Sequence, residues 1–131
     1  MANEKRAGIW LDHSAAHVID YPSDESSAIQ TLNSDFTQTE KKESLEKSEH
    51  TMHNKEQHQM SEFYNEIGKI ILKYDAVLLF GPTNAKLELA NHLKADHRFE
   101  KIKIKTMSAD KLNEHQEREF VKDFFLQPIN L

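Results

Sequence analysis

The chain has 131 residues, of which 37% are hydrophobic and 30% charged, with a net charge of −5 and no cysteine. That length supports one domain, 1–131, with room for a real core. Disulfides and thiolate metal sites are excluded, the acidic balance argues against indiscriminate coating of nucleic acid, and no apolar run approaches the ~20 residues of a membrane span.

Asn3-Glu4-Lys5-Arg6 leads into a short strand pattern with no extended apolar region, so no signal peptide is expected and a cytoplasmic location is the default. Residues 6–12, where Ala7, Ile9 and Leu11 alternate with Gly8 and Trp10, read as a first strand. Residues 16–21 read as a second, across the hairpin-length His13-Ser14-Ala15. Pro22-Ser23-Asp24 is turn chemistry, and 26–33 forms a weaker third strand whose large apolar residues are Ile29 and Leu32. Three short strands joined by tight turns make an antiparallel meander.

Residues 34–54 offer only Phe36, Leu45 and Met52 as large apolar side chains, too few to fold alone. They are expected to form a long, polar, mobile loop, within which 40–49 could extend a helix when a partner is present. From about residue 56 the period turns helical. Met60, Phe63, Ile67, Ile70, Ile71 and Tyr74 form one stripe, with Glu62, Asn65, Glu66, Lys69 and Lys73 opposite.

Ala76-Val77-Leu78-Leu79-Phe80-Gly81 is too short for a buried helix and suits a strand covered on both faces. Gly81-Pro82 stops it, and Thr83 or Asn84 can cap a helix over 84–96 that turns Leu87, Ala90 and Leu93 inward. Residues 99–107 alternate Ile102 and Ile104 with Lys101, Lys103 and Lys105, as an edge strand protected by charge. Ser108 can cap a last helix, with Asp110 in its first turn, Leu112, Val121, Phe124 and Phe125 inward, and Pro128 as its stop. The order βββ-α-β-α-β-α with right-handed crossovers gives a mixed five-stranded sheet, 3-2-1-4-5, with helices on both faces. That is the ribonuclease H-like, three-layer α/β architecture.

This architecture raises the question of a nuclease, which needs carboxylates converging on Mg²⁺. Asp12 ends the first strand and Glu62 or Glu66 lies on the first helix, but the fourth strand ends without an acid and Asp75 is at its far end. The carboxylate set is incomplete, and no metal or cofactor is expected. The turn Gly81-Pro82-Thr83-Asn84-Ala85-Lys86 sits where free N–H groups, a helix dipole and Lys86 can hold a phosphate, or where a strand simply turns into a capped helix. It lacks the spacing of a P-loop. His50, His53 and His58 match no zinc spacing and read as solvated loop residues.

Residues 86–105 hold six bases against three acids, whereas 34–66 hold eight acids against four bases. The asymmetry points to a polyanion such as RNA, with the protected edge strand as the plain alternative.

Two motifs resemble a known family. Gly8-Ile9-Trp10-Leu11-Asp12-His13-Ser14-Ala15-Ala16 is similar to the W-x-D-H-x-x-A opening of small bacterial proteins described as translational-machinery components. Leu79-Phe80-Gly81-Pro82-Thr83-Asn84-Ala85-Lys86-Leu87-Glu88-Leu89 resembles their G-P-x-x-A-K-x-E turn and helix. That turn also occurs in the middle domain of archaeal and eukaryotic class I peptide release factors and of Pelota. Order and spacing agree from about Ala7 to Phe125.

The resemblance implies a ribonuclease H-like domain that binds ribosomes or RNA. In release factors the loop after the third strand carries Gly-Gly-Gln for peptidyl-tRNA hydrolysis; here 34–54 contains no glycine, so release chemistry is not expected. The expectation is a non-catalytic binding module. Its contact residues are Gly81, Thr83, Asn84, Lys86, Lys101, Lys103 and Lys105, and its family-motif residues are Trp10, Asp12 and His13. The first alternative is a metal-dependent nuclease or other phosphoryl enzyme using Asp12 with Glu62 or Glu66; the second is a self-associating adaptor that dimerises through the fifth strand or through Phe120, Phe124 and Phe125, and no membrane partner is expected.

Overall fold

The computed structural model describes residues 4–22, 29–34 and 49–126, and the side chains of these except 49–59. Five strands, β1 (Arg6–Leu11), β2 (Ala15–Tyr21), β3 (Gln30–Asn33), β4 (Ala76–Gly81) and β5 (Lys103–Ser108), lie in the order β3-β2-β1-β4-β5. Among the described residues three α-helices accompany them: α1 (Glu49–Ile71), α2 (Ala85–Lys94) and α3 (Glu114–Leu126). β1 pairs antiparallel with β2 and parallel with β4, and β4 runs parallel with β5. This is the mixed α/β sheet that the strand order and hydrophobic pattern predict.

Alternation along the strands sorts the core into two layers. Ile9, Leu11, Val18, Val77 and Leu79 meet Phe63, Ile67 and Ile71 of α1 and Leu89 and Leu93 of α2. On the opposite face Trp10, Ile19, Leu78 and Phe80 meet Val121 and Phe125 of α3. Each residue of β4 is buried, which is why that strand reads as a continuous apolar run. Two glycines allow close approach. A Cβ on Gly8 would stand 2.1 Å from Val121 Cγ2, so α3 rests directly on β1; one on Gly81 would stand 2.2 Å from the Leu11 carbonyl oxygen.

Several boundaries differ from expectation. Residues 49–54, assigned to the polar loop, are helical and lengthen α1, although His50, Thr51, His53 and Asn54 are weak helix formers. The rest of that loop, 35–48, lies outside the described residues, as do 26–28 of the third strand and Pro128. β5 begins at Lys103, after a 3₁₀ turn (His97–Phe99) whose start is capped by Asp96. Ser108 does not cap α3. It closes β5 opposite Gly81, and Ala109 N donates to the Gly81 carbonyl. The helix is capped by Asn113, whose Oδ1 accepts from Gln116 N (2.8 Å) while Gln116 Oε1 accepts from Asn113 N (3.0 Å), a reciprocal capping box. No described helix is long and apolar enough to cross a membrane.

Candidate functional site at the carboxyl ends of β1 and β4

In an open α/β sheet, ligands gather beyond the carboxyl ends of the central strands. β1 ends there in Asp12 and His13. Asp12 Oδ1 accepts from the backbone N–H groups of Ser14 (2.8 Å) and Ala15 (2.9 Å), so the carboxylate folds the hairpin turn around itself. Ser34 fastens that turn from the end of β3, its Oγ donating to the His13 carbonyl at 2.8 Å. His13 is thereby aimed at α2, where its Nε2 lies 3.0 Å from Glu88 Oε1. Tyr64 of α1 donates its hydroxyl to the same oxygen at 2.7 Å. Burial, then the bond to Glu88 and its charge, push the Tyr64 phenol well above the ordinary tyrosine range.

The two sequence motifs therefore meet. His13 belongs to the first, and Glu88 stands at the acid position that closes the second. Trp10, from the first motif, goes elsewhere: it is buried on the α3 face and stacks on His17 with ring centroids 5.1 Å apart.

The expected anion site has a different arrangement from an open cradle. Lys86 is buried, and its Nζ donates to the Thr83 carbonyl at 2.6 Å, closing the turn from inside. Thr83 Oγ1 accepts from Ala85 N at 3.2 Å, while Asn84 supplies its backbone carbonyl, not its side chain, to α2. Gly81 is occupied by its approach to Leu11. Lys101, Lys103 and Lys105 are exposed along the β5 edge. They do not join the turn: Lys103 pairs in register with Ala76 and Ser108 with Gly81. At ~3.3 Å per residue, that separates Lys103 from the turn by about 16 Å. Lys103 Nζ lies 3.5 Å from Glu4, and Lys103 and Lys105 border a notch of about 90 Å³ backed by Ala76, Phe124 and Phe125.

The carboxylates invoked for metal chemistry each have other surroundings, Glu62 lining the concavity between α1 and α2. Asp12 is engaged by its turn, Glu66 is exposed beside Lys69 (3.5 Å), and Asp75 accepts from Lys5 N (2.8 Å) at the opposite end of β4. Among the described residues no group of three or more His, Asp or Glu is placed to hold a metal ion. A concavity of about 720 Å³ opens beside Ser34, floored by Phe63, Gly68, Leu93 and Phe99. Its polar rim is largely self-paired, with His92 Nε2 on Asn65 Oδ1 (2.7 Å) and Arg98 Nη2 on Asp96 Oδ2 (2.7 Å).

Sequence reasoning missed Glu88 as the shared partner of His13 and Tyr64, and missed a second polar pair, His17 and Glu117. Glu117 had a readable signal. It stands four residues before Val121 and eight before Phe125, an acid on the buried stripe of α3. No protein-family model matches the chain, and no curated protein matches it significantly.

Proposed function

We propose that this chain is a non-catalytic module of the translation apparatus that binds structured RNA, in the ribosome, through the β5 edge. The observation that carries the reading is the exposed row Lys101, Lys103 and Lys105 in a chain of net charge −5. Phosphates are the general ligand of such a row, and release of their counterions makes the binding salt-dependent. The likeness of the Trp10–Ala16 and Leu79–Leu89 motifs to small bacterial translational-machinery proteins, and of the second motif to release-factor middle domains, supports the translational setting and a cytoplasmic place of action. The bond between His13 and Glu88 supports reading both motifs as one architectural unit, with the lysine edge left for contact.

The test is co-sedimentation with ribosomes, together with anisotropy of labelled ribosomal RNA fragments over a salt series. The Lys101→Glu/Lys103→Glu/Lys105→Glu variant is expected to lose binding about uniformly across RNA sequences. Its log–log salt slope should flatten by roughly 0.7–0.9 for each phosphate contact removed. Equal binding by the variant overturns the reading. Mg²⁺-dependent cleavage lost in Asp12→Asn would replace it with a nuclease, and a concentration-dependent mass without RNA with a self-associating adaptor.

A further inference from the structure

The RNA reading makes no use of Glu117, the most deeply buried charged side chain among the described residues. Glu117 is only 1% exposed, inside the layer formed by Trp10, Ile19, Phe80 and Val121. Both its oxygens lie within hydrogen-bond distance of one atom, His17 Nδ1, at 2.9 and 3.1 Å. His17 is stacked on Trp10, whose buried indole Nε1 has no hydrogen-bond partner among the described residues.

We propose that His17 and Glu117 share a single proton that fastens α3 to the sheet, so that the hold on this helix weakens when the proton leaves at higher pH. With one proton on the pair, the two groups are either a neutral hydrogen-bonded couple or an ion pair, and both are tolerable in an apolar layer. Without it, a carboxylate remains buried opposite a neutral imidazole, the arrangement that desolvation penalises most. Among the described residues other charges do little to relieve this. β1 presents Trp10, β4 presents Phe80, and Thr31 of β3 pairs in register with His17, none of them charged at neutral pH. On α3 itself Glu114, one turn earlier, adds repulsion, while exposed His115 and half-buried Arg118 adjoin Glu117 in sequence.

Burial pushes the Glu117 carboxyl above the ordinary carboxylate range, against the opposing pull of His17. The sign agrees. A group whose folded pKa is raised contributes stability that is complete below its unfolded value and is lost as pH rises through the folded one.

Trp10 is the chain's single tryptophan, so its emission reports on the ring stacked against it. The full-length protein is titrated from pH 5 to 9, recording Trp10 emission and the urea midpoint at each pH. Wild type is expected to show one emission transition, with the folded-to-unfolded ratio falling across the same range by at most tenfold per pH unit, the limit for one proton. Glu117→Gln should abolish that coupled slope. Tryptic cleavage at Arg118 and Lys122 should rise with pH in wild type relative to Glu117→Gln. A flat wild-type profile, or an unchanged slope in Glu117→Gln, overturns the proposal. Should Glu117→Gln not fold, imidazole NMR of wild type decides. A His17 ring that titrates together with the α3 amides upholds the latch, and one that titrates alone or stays constant refutes it. RNA affinity does not enter these readouts, so failure here leaves the RNA reading standing, and the reverse.

Discussion

Asp12 and His13 have separate tasks that their adjacency conceals. Asp12 holds two turn N–H groups, so Asp12→Ala leaves both without their acceptor and is expected to cost ~1–3 kcal/mol in urea unfolding. Asp12→Asn keeps an acceptor oxygen at the same place and should cost less than half as much. Tyr64 gives a pH-dependent prediction. Its phenol pKa is raised on folding, so its contribution is whole below the unfolded value near pH ~10 and erodes above it. Tyr64→Phe should lose ~1 kcal/mol at neutral pH but shift the alkaline unfolding midpoint upward, as followed by circular dichroism. Asp12 and His13 could be singled out from the sequence as motif members, but their roles could not, and Tyr64 stood in no motif. A motif gives chain spacing, whereas the bond from His13 to Glu88 crosses 75 positions. Lys86 illustrates the same limit: a lysine at a helix start reads as a phosphate ligand until its amine is found on the Thr83 carbonyl.

At the level of elements, β4 was the most legible, because a strand buried on both faces leaves no polar alternation to misread. The start of α3 was the least legible. Ser108 followed by Asp110 has capping chemistry, yet pairing with Gly81 keeps Ser108 in β5 and passes the cap to Asn113. Asn113→Ala should therefore destabilise the fold by ~0.5–2 kcal/mol, while Ser108→Ala should leave α3 helicity unchanged. Gly81 was legible as a strand stop, but not as the point where β4 and the end of β1 nearly touch. Gly81→Ala drives a Cβ into the Leu11 carbonyl, and backbone must move. Its thermal midpoint should drop further than that of Gly68→Ala, whose Cβ meets side-chain carbons at 3.2 Å.

Across the whole molecule, sheet order followed from chirality and the count of strands before the first helix, and it needed no side-chain detail. What stayed hidden was the inequality of the two faces. Among the described helices α1 and α2 together cover one, whereas only α3 covers the other, with Gly8 drawing it close at its middle. A truncation at Leu89→Ala, in the doubly covered layer, is expected to cost ~2–5 kcal/mol with little collapse to relieve it. Val121→Ala takes away the contact over Gly8 and should speed exchange of α3 amides before those of α1 or α2.

β1 and β4 lie side by side at the centre, yet Arg6 and Ala76, which face each other there, are separated by most of the polypeptide. Neither the meander nor the later α/β portion owns a finished middle. Split between β3 and α1, the second piece would carry Ala76–Gly81 as a bare apolar margin and should scatter light on its own. Mixed with the first piece, it should clear and regain native dichroism, as two halves of a zip whose teeth were made apart.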